Sequence, residues 1–201
     1  MTTAFITHPA CKLHDMGAGH PESPQRLAAI KDRLIASSID GLLQHHEAPL
    51  VMREALLRVH RESYIDEIEA KAPREGLVQL DPDTSMNPYS LEAARRAAGA
   101  VVRGVDLVMT GKAQNAFCAV RPPGHHAFSN RSMGFCIFNS VAVAAAHARA
   151  AHGLKRVAIL DFDVHHGNGT EEIFANEPNV MLCSTFQHPY YPYQGSDTVS
   201  D

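Results

Sequence analysis

The stretch "KRVAILDFDVHHGNGT", residues 155–170, decides how this chain is read: an apolar run, Val157–Leu160, leads directly into Asp161, Asp163, His165 and His166. A run this short and this rich in β-branched and aliphatic residues predicts a buried strand. Its neighbours extend the pattern. "NAFCAV" (115–120) reads as a buried strand, "NSVAVAAAHARAAHG" (139–153) as a helix closed by Gly153, "TEEIFAN" (170–176) as a short helix and "NVMLCSTF" (179–186) as a third strand. Strands that are apolar almost throughout, alternating with helices, predict an α/β fold: a three-layer α/β/α arrangement around a mainly parallel sheet. In such sheets ligands collect beyond the carboxyl ends of the strands.

Working outward, "TAFITH" (3–8) is expected to be a first strand, followed by a loop through residues 8–23. Ser23 is a candidate N-cap with Pro24 at the first helical position, and Leu27, Ile30, Leu34 and Ile35 share one helical face. Helices are also expected at "REALLRVH" (53–60), "ESYIDEIEAKA" (62–72) and the Ala-rich 90–111, which Gly111 closes. "LDPDTSMNP" (80–88) reads as a proline-bounded loop. No repeat or long Pro/Gly/Ser linker interrupts the chain, so residues 1–201 are expected to form one domain.

Composition narrows the function classes. The 201 residues carry a formal net charge of −4, with both signs mixed along the chain, which argues against nucleic acid as a direct partner. The four cysteines show no close pairing, so a reduced, cytoplasmic protein is expected. The N-terminus lacks the basic start and apolar core of a signal peptide, and no apolar run reaches the roughly 20 residues that span a bilayer.

Each late strand is followed by a polar or aromatic cluster: "RPPGHHAF" (121–128), "DVHHGNGT" (163–170) and "QHPYYPYQG" (187–195). Three clusters at one sheet edge would line one pocket. Asp163 and His165, two apart at an extended strand end, would project to the same side and suit Zn²⁺. Asp161 could hold a second cation or orient a histidine. The plainer alternative is that these carboxylates cap the following helix and the histidines are merely solvated. His125 and His126 sit on a stiff Pro–Pro–Gly loop, as proton-transfer groups should, although one of them could be a core histidine bonded to backbone. In "SMGFCIFNS" (132–140), Phe138 reads as core, while Gly134 would let Phe135 face a narrow channel. The tyrosines at 190, 191 and 193 form either an aromatic wall or an ordinary surface loop.

Taken in order, "GHPESPQRL" (19–27), "LDPDT" (80–84), "RPPGHHA" (121–127), "GFCIFNSVAVAA" (134–145) and "LDFDVHHGNGT" (160–170) resemble the zinc-dependent histone deacetylase family. The flavour is that of its class II and bacterial histone deacetylase-like amidohydrolase branch, near the acetylpolyamine amidohydrolases. The resemblance implies an arginase/deacetylase-like fold. It makes Asp163 and His165 zinc ligands and His125 and His126 the catalytic pair. Asp161 would orient His125 and share a monovalent cation, K⁺, with Ser184, and Asn168 would orient the second histidine. Phe135 and Tyr191 would flank an acyl-lysine tunnel, with the Gly134 carbonyl accepting the substrate's amide proton. The implied substrates are an acetylated lysine in a protein or peptide, or an acetylated polyamine; acetate and a free amine would be the products.

The resemblance also implies elements beyond Asp201: a third zinc ligand in a "GFD" motif, an oxyanion-stabilising tyrosine in a "GGY" motif, and the last strands. The fold is therefore expected to be C-terminally incomplete, with the 201-residue chain inactive or weakly active alone and inclined to self-associate through an open sheet edge. Two rival readings stand beside this one. A binuclear manganese hydrolase resembling arginase would need a further carboxylate where Gly167 stands. A non-catalytic acyl-amine binding module, or a fragment complemented by a partner chain, would need none of the chemistry. His166 has no assigned role.

Overall fold

A computed structural model describes residues 2–195. Strand β1 (Thr3–Thr7) opens the chain, helix α1 (Gln25–Ala36) follows the long loop, and strand β2 (Leu43–Glu47) comes next. Helices α2 (Arg53–Leu57) and α3 (Glu62–Lys71) precede a hairpin of β3 (Val78–Asp81) and β4 (Thr84–Met86). Helix α4 (Ser90–Met109), β5 (Asn115–Cys118), α5 (Ser140–His152), β6 (Val157–Asp161), α6 (Asn168–Phe174) and β7 (Val180–Ser184) complete the order.

Strand β1 sits between β2 and β5, parallel to both. Its side chains alternate between two helical layers, as the period of a strand requires. Phe5 packs with Leu27 of α1, whereas Ala4 and Ile6 pack with Ala100 and Leu107 of α4. Helices thus cover both faces of a parallel sheet, the three-layer arrangement expected.

Several local expectations are corrected. The three late strands do not form one ladder: β5 pairs with β1, while β6 and β7 pair in parallel with each other, Asp161 opposite Ser184. A cavity of about 380 Å³ lies between the two ladders, beside Val120, Val141 and Ile159. Nor are the late strands buried on both faces, because Phe117, Leu160 and Met181 are 49%, 68% and 58% exposed. Residues 80–88 are not a plain loop, because Pro82 occupies the turn of the β3–β4 hairpin, a position that needs no ladder N–H. Ser23 does not cap α1 with its side chain, and Ile35 is 54% exposed, off the buried face. Strand β2, polar at Gln44, His45 and His46, has no counterpart in the apolar pattern.

A second core, between α3, α4 and α5, contains an enclosed histidine. His60 Nδ1 donates to the Phe128 carbonyl (3.0 Å) and its Nε2 accepts from the Asn139 amide (2.9 Å), so the ring must be neutral to satisfy both partners. Asn139 in turn caps α5 by accepting from Ala142 N at 3.0 Å. Burial pushes the His60 imidazole down to about 4. The unfolded chain, with its histidine near 6.5, then takes up a proton first as pH falls. Stability from this group is complete above pH 6.5 and lost on descending toward pH 4, at a cost on the order of 3 kcal/mol. Urea unfolding at pH 7 and pH 4.5 is expected to show this loss, and a His60→Gln variant a flatter pH dependence; equal slopes for the two proteins would refute it.

Candidate active site

Beyond Asp161 the chain turns instead of continuing as an extended strand, which corrects the alternating-face argument for Asp163 and His165. Asp161 Oδ1 accepts from Asp163 N (3.2 Å), and Asp163 Oδ1 accepts from His165 N (2.8 Å). Short acidic side chains compete for the backbone in this way and stop a strand. The consequence is proximity: His165 Nδ1 lies 3.2 Å from Asp163 Oδ1, with side chains 45% and 49% exposed. The carboxylates therefore close turns and do not cap α6 as the plainer reading had it, because the N-cap of that helix is Gly167 without a side-chain bond. An accessible carboxylate and imidazole this close form a donor set of the kind that zinc accepts.

The histidine loop is anchored from below. Arg121 is fully buried and makes a bidentate pair with Glu22, both bonds 2.6 Å, while Nη1 donates to the carbonyls of Cys11 (2.9 Å) and His14 (2.8 Å). Four residues on, His125 Nδ1 donates to Asp161 Oδ2 at 2.9 Å. His126 Nδ1 donates to Asn168 Oδ1 at 2.9 Å, and Asn168 Nδ2 donates to Gln194 Oε1 at 2.9 Å, which fixes the amide's orientation. The two rings lie 4.0 Å apart between centroids.

Electrostatics separate the pair. Burial, with the charge of His125 adding to it, pushes His126 down to about 4. Partial burial raises Asp161, but the His125 hydrogen bond outweighs it and holds the carboxyl below its ordinary range. One imidazole thus faces an ionised carboxylate and the other a neutral amide. Gly167 passes directly beneath: a Cβ there would stand 2.4 Å from Asp161 Oδ2 and 3.2 Å from His125 Nδ1, so the position has no room for a carboxylate.

These groups open onto a cavity of about 350 Å³ that Gly134, Phe135 and Tyr191 also line. Gly134 and Phe135 both have positive φ, 58° and 69°. The hairpin turn holds them there, because Asp83 Oδ1 accepts from Gly134 N (3.1 Å) and Thr84 Oγ1 from Phe135 N (2.9 Å). Any side chain at 134 would run into the His126 ring, 2.4 Å from the nearest carbon. Phe135 meets His20 edge-on at 4.6 Å, and Tyr191 stands edge-on to His126 (5.1 Å) and His165 (5.7 Å). Burial and the Asp83 carboxylate push the Tyr191 hydroxyl well up. Tyr190 and Tyr193 are 57% and 78% exposed, so the aromatic wall reduces to Tyr191.

The neighbouring Ser184 Oγ is buried with no hydrogen-bond partner, directly across the ladder from Asp161. An orphaned hydroxyl beside an ionised carboxylate fits a monovalent cation such as K⁺. His166 is a core histidine, 4% exposed, bonded to Glu171 Oε2 at 3.0 Å and packed on Phe186. Glu22, Arg26 and Asp83 also line the cavity and were missed in the sequence. "LDPDT" carries a signal for Asp83, since Leu80 and Thr84 flank a Pro–Asp turn, whereas Glu22 has none.

The family described as "Histone deacetylase domain" matches residues 20–200. A histone deacetylase-like amidohydrolase from Pseudomonas aeruginosa is 40% identical over 186 residues, 92% of this chain and 49% of that protein. A "Polyamine deacetylase HDAC10" from Rattus norvegicus is 37% identical over 195 residues, covering 89% of this chain and 32% of that one. The crystal structure of the HDA15 HD domain superposes with a TM-score of 0.92 at 38% identity, over 97% of this chain and 56% of that chain. The chain therefore spans about half the length, or less, of these three relatives.

Proposed function

Because the chain belongs to the histone deacetylase domain family, we propose that its cavity is the acyl-amine site of a zinc-dependent amidohydrolase that removes acetyl groups from lysine side chains or related amines. One observation carries this reading. Two adjacent imidazoles, held at Nδ1 by unlike partners, line the same cavity as Asp163 and His165. A zinc ion held by Asp163 and His165 with further donors would supply Lewis-acid polarisation of the amide carbonyl and acidify water.

The chain's own residues do the rest. His126, kept neutral by burial, takes the proton of the attacking water at Nε2. His125, whose Nδ1–H bonds the Asp161 carboxylate, gives a proton to the departing amine. Phe135 and Tyr191 flank the stem of the acyl-amine, and the Gly134 carbonyl, which takes a thiol contact from Cys136 at 3.3 Å, keeps a lone pair for the substrate's amide N–H. Asp161 and Ser184 would hold K⁺, a reading supported by the orphaned Ser184 hydroxyl across the ladder from Asp161. The absence of space for a carboxylate at Gly167 favours one catalytic metal over an arginase-like pair. The names of the two curated relatives point to acetylated proteins or polyamines as substrates. The four free cysteines agree with a cytoplasmic location, and no helix among the described residues is long and apolar enough to cross a membrane.

The 201-residue chain alone is expected to be inactive or weakly active, so acetate release from an acetyl-lysine peptide and from an N-acetylated polyamine tests the reading in a chain that carries the segments the resemblance places beyond Asp201. Metal-stripped protein is expected to be inactive and to regain activity at one equivalent of Zn²⁺. A requirement for two Mn²⁺ per chain would favour the binuclear alternative, and no acetate release with any metal would overturn the proposal.

A further inference from the structure

Helices α4 and α5 pack against each other, and at their seam a second group of ligand-type side chains converges, none of them in the cavity described above. Asp106 Oδ1 accepts from His147 Nε2 and from His152 Nε2, each at 2.8 Å. All three ligand atoms lie within 4.8 Å of one another. The imidazole side chains are only 11% and 19% exposed, whereas Asp106 is 40% exposed, so the nitrogens are held in place and the carboxylate faces an entry path. Partial burial raises the Asp106 carboxyl, but the two histidines outweigh it and keep it ionised below its ordinary range. One group competes: Arg58 Nη1 donates to His147 Nδ1 at 2.7 Å, which places the ring's proton on Nε2. Arg58 is exposed and has no other hydrogen-bond partner among the described residues, so it can swing away.

We propose that Asp106, His147 and His152 form a binding site for a divalent transition metal of the Zn²⁺ or Ni²⁺ class, with Arg58 as the competitor that the ion displaces. Two imidazoles and a carboxylate suit such metals better than Mg²⁺ or Ca²⁺, which prefer all-oxygen sets. The proton balance closes without a co-reactant. In each neutral ring the proton leaves Nε2 for the metal's sake and re-enters at Nδ1, with no net release. That shift is blocked in His147 while Arg58 points its N–H at Nδ1, so the arginine weakens the site without being part of it. With the ion bound, the end of α5 would be tied to α4 by coordination instead of hydrogen bonds.

The test is calorimetric titration of ZnCl₂ and NiCl₂ into an Asp163→Ala/His165→Ala protein, in which the cavity's own donors are gone. One equivalent of metal is expected to bind still. His152→Gln, at the helix end, is expected to weaken it at least about tenfold, and Arg58→Met to tighten it several-fold, with circular dichroism showing both variants folded. No metal uptake in the double variant, binding unchanged by His152→Gln, or binding unchanged or weakened by Arg58→Met would each overturn the proposal and leave a hydrogen-bonded clip.

Discussion

Replacing Glu22 by glutamine is expected to lower the stability of the protein by about 3 to 5 kcal/mol at pH 7, the usual cost of leaving one charge of a buried pair uncompensated. Arg121 is fully buried and Glu22 only 6% exposed, and among the described residues their two 2.6 Å bonds are the only ones in which Arg121 meets a carboxylate. Glutamine keeps the shape but removes the charge and one acceptor. Burial pushes the Glu22 carboxyl upward, yet the hydrogen bonds and charge of Arg121 win and hold it below the ordinary glutamate range. A carboxylate with a depressed folded-state value stabilises the fold above its unfolded value and loses that contribution as pH falls through the folded one. The gap between the natural protein and Glu22→Gln should therefore be full at pH 7 and shrink below about pH 4.5. Denaturant unfolding of Glu22→Gln, Arg121→Met and the double variant checks it. The double variant is expected to recover much of the loss, because it removes the orphaned charge. A single-variant cost under about 1 kcal/mol would mean that water reaches Arg121.

That ion pair also marks where reading the sequence stops. Glu22 and Arg121 are 99 residues apart, and nothing local in "HPESP" announces a partner. The histidine pair and Asp163–His165 were legible because each lies within one short segment whose prolines, glycines and acidic residues dictate the turn. The late strands were legible as strands because Val157–Leu160 and Val180–Cys183 are short apolar runs, but their burial was not: Ile159 and Val180 are buried, whereas Leu160 and Met181 on the other face are 68% and 58% exposed. Strand β2 was not, since "LQHHE" is polar at an edge and takes its place only from the register Thr3 to Leu43. The split between the β1 and β6 ladders likewise has no signal in the strands, whose sequences do not say which neighbour each one pairs with. Asp106, His147 and His152 belong to the same class: each looks like an ordinary helix surface residue until α4 meets α5.

His126→Ala is expected to lower kcat/KM for acetyl-amine hydrolysis by about 10² to 10⁴, the usual worth of a positioned general base, with a smaller change in KM. The more discriminating variant is Asn168→Asp. In the natural protein the Asn168 amide carbonyl accepts from His126 Nδ1 at 2.9 Å but carries no charge to favour the imidazolium. Burial then leaves His126 neutral down to about pH 4, and a divalent cation nearby would lower it further. The acid limb of the rate profile should therefore not come from His126 anywhere between pH 5 and 7. An aspartate at 168 places a charge against Nδ1 and stabilises the protonated ring. Protonation removes the lone pair that takes the water's proton, so the acid limb of Asn168→Asp is expected to move to higher pH by about one unit or more, with the rate at high pH largely kept. An unmoved limb, with activity merely scaled down at every pH, would assign proton acceptance to His125 and leave Asn168 a purely structural role.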